Sequence, residues 1–249
     1  MTRMLLPLLS AALFPPLLAG AQSGGSLTVD EIIAKNIQAR GGLERIRSVK
    51  TIRSSGKITA GDFRARFVQE NLRPSEVREE FIIQGMAEIE AFDGKTGWRV
   101  SPFEGRKDPD RLSADDMKGL IEAADIDGQL VDYKNKDHRA ELIGHDPVEG
   151  TDCYKIKLTL SNGDVKYYYI DTDSFLELKV ETERTIRGTV QYGETYYGDY
   201  EEVDGIYFPF AFEQGQKGNP FRTKLTVDKV EINVPIAGSL FVMPTGGAK

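Results

Sequence analysis

The sequence has few of the side chains from which catalytic and metal centres are most often built. Its 249 residues include one cysteine, Cys153, and two histidines, His138 and His145. A single thiol cannot form a disulfide within the chain, and zinc and iron–sulfur sites that need several cysteines are excluded. Two histidines cannot supply a histidine-rich metal cage. The sequence therefore predicts no cofactor and no metal centre.

The chain also has fewer basic than acidic residues. The chain has 39 acidic residues against 32 basic ones, which gives a net charge of -7 and a pI near 5.1. A protein that binds nucleic acid over a broad surface has the opposite balance, so we expect no nucleic-acid partner. The content of 40% hydrophobic and 29% charged residues is that of a globular protein.

Only the amino terminus has a long apolar run. Arg3 precedes the apolar segment from Met4 to Ala19, and Ala19-Gly20-Ala21 has the small-x-small form of a signal-peptidase site. A membrane anchor is the alternative, but the run of about 16 residues is shorter than the roughly 20 that span a bilayer, and it has three prolines. We expect residues 1–21 to be a signal peptide cleaved near Ala21, and residues 22–249 to be one periplasmic domain.

Motifs for chemistry are absent or incomplete. Gly94-Lys95-Thr96 resembles the end of a phosphate-binding loop, but Ile89 stands where that loop needs its first glycine. No Gly-x-Ser-x-Gly sequence is present. We interpret Cys153 as an inert, half-buried thiol and both histidines as surface residues. No catalytic residue is predicted, and a pair of carboxylates remains the one open route to hydrolase chemistry.

A helix is predicted at the start of the mature chain, and strands follow it. Thr28 and Glu31 form a capping box, and apolar residues then recur at helical spacing until Gly41 and Gly42 end the helix. From Thr51 onward the chain has short alternating segments rich in β-branched and aromatic residues. The predicted strands are residues 51–59, 62–70, 76–84, 86–92, 98–101, 140–144, 153–160, 165–170, 176–185, 187–192, 194–203, 207–214 and 221–230.

A helical insert is predicted to interrupt the strands. Residues 102–111 have the composition of a polar loop, and Ser113 is a suitable N-cap for the apolar series Met117, Leu120, Ile121 and Ala124. Farther on, Asn162-Gly163 predicts a type I′ hairpin and Asp204-Gly205 a second hairpin. Some of the aromatic residues concentrated between positions 167 and 212 are expected to line a cavity. About eleven successive antiparallel strands favour a barrel or a sandwich.

Several segments, taken in order, form a pattern that covers nearly all of the mature chain. The first is the capped helix with the Ala39-Arg40-Gly41-Gly42 stop and the first strand, over residues 28–58. The others are Phe92-Asp93-Gly94-Lys95-Thr96-Gly97-Trp98, Gly128-Gln129-Leu130-Val131-Asp132-Tyr133, Asn162-Gly163-Asp164-Val165, Val203-Asp204-Gly205-Ile206-Tyr207-Phe208-Pro209 and residues 233–241. In this order and spacing the segments resemble bacterial outer-membrane lipoprotein-sorting proteins of the LolA-like superfamily.

This resemblance implies a mainly β fold, an incomplete antiparallel barrel of about eleven strands whose open end is closed by helices over a hydrophobic cavity. It also implies a non-catalytic carrier for acyl chains of lipoproteins or for free lipid, with inner- and outer-membrane transport components as partners. The candidate lipid-binding residues come from the early strands and the insert, with an ordinary filled core as the alternative at each position. They are Phe63, Phe67, Phe81, Ile83, Ile89, Trp98, Met117, Leu120 and Ile121.

Two other functions stay open at this point. The same scaffold serves a sensor or interaction module whose cavity reads the state of a lipid and passes the signal to a partner protein. A hydrolase of the cell envelope that works through a carboxylate pair is the second alternative.

Overall fold

Thirteen antiparallel strands form one sheet in the computed structural model, which describes residues 26–245. The predicted signal peptide, residues 1–21, lies outside the described residues. No helix within residues 26–245 combines the length and the hydrophobicity that crossing a bilayer requires. The strands are β1 (Thr51–Ala60), β2 (Phe63–Leu72), β3 (Glu76–Ile83), β4 (Met86–Phe92), β5 (Gly97–Ser101), β6 (Arg106–Arg111), β7 (Arg139–His145), β8 (Cys153–Thr159), β9 (Val165–Asp171), β10 (Glu177–Ile186), β11 (Thr189–Val203), β12 (Ile206–Gln216) and β13 (Thr223–Ile232).

The sheet is open and its strand order is a meander with one long-range pairing. The order is β6-β5-β4-β3-β2-β1-β13-β12-β11-β10-β9-β8-β7, so β6 and β7 are its two edges. The pairing of β1 with β13 joins the two halves of the chain, for example Ile52 with Ile232. The mainly β, antiparallel fold is confirmed, whereas the expected number of about eleven strands is too low.

Two strand predictions are wrong, and both errors have a physical reason. Residues 102–111 form a short 3₁₀ turn, Pro102–Glu104, and then β6, although they were predicted as a polar loop. An edge strand needs hydrogen bonds on one side only and tolerates a proline such as Pro109. The expected break near residue 193 does not occur, because Gly193 pairs with Thr182 on one side and with Gln216 on the other.

The two predicted hairpin turns have different outcomes. At Asp204-Gly205 both residues have positive φ, 49° and 82°, as a type I′ turn requires. Of the Asn162-Gly163 pair, Gly163 alone has positive φ, 88°, and its N–H donates to the carbonyl oxygen of Leu160. The type I′ prediction there is wrong, because the loop has three residues and uses glycine only at its last position.

The helices are α1 (Val29–Ala39), α2 (Leu43–Ser48) and α3 (Lys118–Ala123). The capping box predicted for α1 is present, because the Thr28 side chain accepts from the Glu31 N–H and the Glu31 carboxylate accepts from the Thr28 N–H. The apolar side of α1 packs with Ile32 and Ile33 against Ile156 and other buried side chains of β8–β10. Gly41, which follows α1, has φ of 121°, and a Cβ there would lie 2.3 Å from a backbone oxygen of the β11–β12 hairpin. The glycine is therefore required by close approach of two backbones.

The contacts of α3 require a strongly curled sheet. Helix α3 packs on Val77 and Phe92 of β3 and β4, and its Glu122 also pairs with Arg184 of β10. Seven steps separate β4 from β10, so a flat sheet would hold them about 34 Å apart at about 4.8 Å per step. A helix of six residues is about 9 Å long. The sheet must therefore curve around α3, and we call the face that α1 and α3 contact the concave face.

Candidate functional site

Side chains on the concave face leave a cavity between β1–β3 and β11–β13. This cavity, the apolar hollow, has a volume of about 410 Å³, which lies within the roughly 300–1,000 Å³ of small-molecule sites. Its apolar wall comprises Phe67, Phe81, Phe208, Phe212, Leu225, Val227 and Val230. Polar groups enter it at few places, chiefly Ser54, Gln69, Glu79, Thr195 and Gln214.

Alternation along the strands explains why the hollow is apolar. On β2, Phe67 shares the concave face with Phe81 of β3, its partner in the ladder, while Arg66 points to the convex face. On β12, Phe208, Phe210 and Phe212 follow at intervals of two and pack in the same cluster. The curl of the sheet brings these two rows together, which no local pattern requires.

A second, polar cavity adjoins the hollow. This cavity, the polar cleft, has a volume of about 1080 Å³ and lies between α3 and strands β9–β12. It shares Thr195, Tyr197 and Gln214 with the hollow, so the two cavities are neighbours. A ligand with an apolar chain and a polar head therefore finds both environments side by side.

Ion pairs hold α3 across the cleft. Glu122 of α3 accepts from Lys166 of β9 and from Arg184 of β10. One turn earlier, Lys118 lies 3.1 Å from Asp164, beside β9. We call this group of five side chains the α3 latch, because it ties the helix to the side of the sheet opposite its apolar contacts.

One carboxylate in the hollow lacks a partner. Among the residues that the structure describes, Glu79 has no ion pair and no hydrogen bond to its side chain. Burial and the neighbouring Glu90 raise the pKa of Glu79 to about 7. Glu90 faces it from β4 and has its own partner, Arg99, at 3.5 Å. The hollow therefore has one unpaired acid in a mainly apolar wall.

Three of the nine predicted lipid-binding residues lie at or beside the hollow, and a fourth is on the same face of the sheet. Phe67 and Phe81 form part of its wall. Ile83 packs against the same cluster of side chains. Phe63 is on the same face at the tip of the β1–β2 hairpin, where 44% of it is exposed.

Two predicted residues are on the other face of the sheet. Ile89 and Trp98 belong to the convex face, since Trp98 pairs with Ala91 while Phe92 faces α3. The Trp98 indole N–H donates to the carbonyl oxygen of Phe241 at 2.7 Å, beneath the carboxyl-terminal segment. Ile89 and Trp98 are therefore left out of the candidate site.

The three predicted residues of the insert have separate surroundings. Met117 and Leu120 pack with Val77 and Phe92 in a filled core under α3. Ile121 is 47% exposed. None of these three lines the hollow.

The wall of the hollow formed by β11–β13 was predicted only in part from the sequence. The concentration of aromatic residues pointed to this part of the chain, and Tyr197, Phe208 and Phe212 do line the hollow. Leu225 and Val227 of β13 gave no signal beyond ordinary strand alternation, because their role depends on pairing with β1. No sequence pattern singled out Glu79 as part of this wall.

The side chains first considered for chemistry lie outside this site. Cys153 is fully buried and not half-buried as predicted, because Val148 and Tyr169 pack in the same cluster, and burial raises the pKa of its thiol to about 11. His145 contacts Asp152 at 3.0 Å on the surface, and His138 contacts Gln129 at 3.0 Å. Within residues 26–245, no group of three or more His, Cys, Asp or Glu side chains is arranged to hold a metal ion.

Comparison with known proteins identifies both a family and a fold. A family model described as "Uncharacterized protein" matches residues 107–244, more than half of the chain. No curated protein matches the sequence.

Three solved structures share the fold at low sequence identity. A LolA superfamily protein from Nitrosomonas europaea has a TM-score of 0.60 at 14% identity, over 87% of this chain and 98% of that one. A DUF1329 family protein from Desulfovibrio piger has 0.59 at 13% identity, with the same coverages of 87% and 98%. An outer membrane lipoprotein-sorting protein domain from Vibrio parahaemolyticus has 0.57 at 13% identity, over 84% and 94%.

Proposed function

Since this chain belongs to the family described as "Uncharacterized protein" and has the fold of LolA superfamily proteins, we propose that it is a carrier for acyl chains. It binds the chain of a lipid or of a lipoprotein in the apolar hollow and releases it without covalent chemistry. In this proposal residues 1–21 direct export to the periplasm, residues 22–249 are the single binding domain, and the load moves toward the outer membrane.

The observation that carries the proposal is the apolar hollow itself. Its wall is built mainly from aromatic and aliphatic side chains of β2, β3, β11, β12 and β13, and its volume is about 410 Å³. Each methylene that enters such a wall from water contributes about 0.8 kcal/mol, so a single acyl chain supplies enough free energy for tight binding. The modest volume favours one chain at a time.

A carrier must also let its load go, and the α3 latch supports that step. The latch consists of ion pairs that border the polar cleft, and the apolar contact of α3 involves few residues, chiefly Val77, Phe92 and Leu120. A short helix held in this way opens at less cost than a strand of the sheet. Opening α3 exposes the cleft and, through it, the hollow.

Two measurements test the carrier proposal. Organic extraction of the purified protein followed by mass spectrometry should recover lipid, and an apolar fluorophore should bind and be displaced by acyl chains. The variant Ser54→Phe places a ring in the hollow and should abolish fluorophore binding. Ser55→Phe, one residue along β1 on the convex face, is the matched control and should bind normally.

Both variants must first have thermal transitions close to that of the wild type, so that loss of binding is not loss of fold. Absence of bound lipid together with absence of fluorophore binding by the wild type would contradict the proposal. Equal binding by the two variants would place the ligand outside the hollow.

A further inference from the structure

The wall of the apolar hollow has a large apolar part and a smaller polar part, and the charge in the polar part is negative. Glu79 and Gln69 are partners in the β2–β3 ladder and both line the hollow, beside the aromatic pair Phe67 and Phe81. Glu90 and Glu88 follow on the same face of β4, opposite Glu79 and Phe81. A ligand in the hollow therefore lies next to carboxylates on this side.

The cations of β5 and of the α3 latch are already paired. Arg99 on β5 forms an ion pair with Glu90 at 3.5 Å. On the far side, Lys166 and Arg184 are held by Glu122 in the α3 latch. Within the described chain Glu79 is the charged group of the hollow that has no protein partner, so a ligand is the group able to satisfy it.

From this geometry we propose that the ligand is an amphiphile with a protonated amine in its head group, and that Glu79 accepts a hydrogen bond from that amine. The inference rests on the proposed function, because it assigns the head group that accompanies the acyl chain. An anionic head such as a carboxylate is disfavoured, since it would face Glu79, Glu88 and Glu90, while Arg99 beside them is already paired with Glu90.

The same contact explains how the protein tolerates an acid in an apolar wall. A carboxylate without a partner is costly there, and this cost is the reason that the pKa of Glu79 is raised to about 7. An ammonium group beside it favours the charged form and lowers that pKa again. Binding of the amine should therefore release a proton from the fraction of molecules in which Glu79 is protonated.

Four probes of equal chain length separate the head group from the chain. Dodecylamine, dodecanol, dodecanoate and dodecyl sulfate are titrated against the fluorophore-loaded protein at about pH 8, where alkylamines are charged. The wild type should bind dodecylamine most tightly, dodecanol next and the two anions least. Glu79→Gln should weaken dodecylamine binding about tenfold, as expected for one hydrogen bond to a charged group, and leave dodecanol binding within about twofold.

Glu80→Gln is the control. Glu80 is the next residue of β3, points to the convex face and pairs with Arg78 at 2.7 Å. It should leave the binding of all four probes unchanged.

Titration adds an independent readout. Lowering the pH to about 5.5 should protonate Glu79 in the free protein and bring the dodecylamine affinity of the wild type toward that of Glu79→Gln. The other titratable or charged groups that act on this region are Glu88 and Glu90 of β4, Arg99 of β5 and Asp116 before α3. The Glu79→Gln variant retains all four, so a pH effect that persists in this variant belongs to them.

The outcomes distinguish the two proposals. Equal affinity for dodecylamine and dodecanoate, or an unchanged dodecylamine affinity in Glu79→Gln, would overturn the amine assignment while the carrier stands. Preference for dodecanoate would assign an acidic head group instead. Failure of all four probes, dodecanol included, to displace the fluorophore would overturn the carrier proposal and the head group with it.

Discussion

Replacing Glu122 by glutamine should loosen α3 without disturbing the sheet. Glu122 is the one residue of α3 that pairs with two strands at once, through Lys166 and Arg184. Glutamine keeps the length of the side chain and its ability to accept a hydrogen bond, but it removes the negative charge. The two cations then lie close together on the neighbouring strands β9 and β10, and Asp164 is an acid still beside Arg184, at 3.6 Å.

The size of the effect follows from burial. The side chains of Glu122, Lys166 and Arg184 are 12%, 15% and 24% exposed. Removing one partner of a fully buried pair costs 3–5 kcal/mol, and an exposed pair is worth less than about 1 kcal/mol. A latch at the border of an open cleft lies between these limits, so we expect a loss of about 2 kcal/mol, which corresponds to a roughly thirtyfold higher opening constant for α3.

Hydrogen exchange measured residue by residue is the assay, because it reports local opening separately from global unfolding. Amides of α3 in Glu122→Gln should exchange about thirtyfold faster at constant pH, while those of β1 and β13 stay unchanged. The control is Asp228→Asn, which breaks the exposed pair between Lys57 and Asp228 at 3.2 Å on the convex face. It should alter stability by less than about 1 kcal/mol and leave α3 unaffected.

Unchanged exchange in α3 of the Glu122→Gln variant would refute the reasoning, since the helix would then be held by its apolar contacts alone. Faster exchange everywhere in the molecule would refute it differently, by showing that α3 and the sheet open as one unit.

Three further predictions concern other parts of the molecule. The Cys153 thiol should react with thiol reagents at about pH 8 only after denaturant unfolds the protein, because it is buried and burial raises its pKa to about 11. Rapid reaction of the native protein would show that the thiol is accessible. The pKa of Glu79 is raised to about 7 in the folded state from 4.5, so the wild type should lose about 3 kcal/mol of stability relative to Glu79→Gln as the pH rises through this interval. Urea titrations that run parallel for both proteins at all pH values would contradict this. Trp98→Phe removes the hydrogen bond from the indole N–H to the Phe241 carbonyl oxygen and should cost about 2 kcal/mol of stability. Fluorophore binding should stay normal, because Trp98 is on the convex face. Lost binding at unchanged stability would place Trp98 in the site after all.

Local patterns predicted the elements well where one strong signal dominated. The capping box of Thr28 and Glu31 defined the start of α1, and Asp204-Gly205 defined a hairpin. Alternation also assigned Phe67 and Phe81 to one face and Arg66 to the other, as the ladder has them. These features depend on residues only a few positions apart, so a window of sequence contains the whole cause.

Prediction failed where the cause lies outside such a window. β6 exists because β5 offers it an edge, and its own residues read as a loop. Ile89 and Trp98 are apolar and close in sequence to the wall of the hollow, yet the pleat turns them to the convex face. An apolar residue of a strand is suited to either face, and the choice between a core and a cavity depends on what packs against that face.

The order of amino acids along this chain was enough to specify a mainly β protein that begins with a capped helix, lacks the cysteines and histidines of a metal centre and resembles a family of carriers. The hollow itself arises only in three dimensions. Phe67 and Phe212 lie 145 positions apart in the numbering, and they meet because β1 pairs with β13 and the sheet curls around α3. Volume that side chains leave between distant strands is a property of how the strands are arranged, so no single segment encodes it.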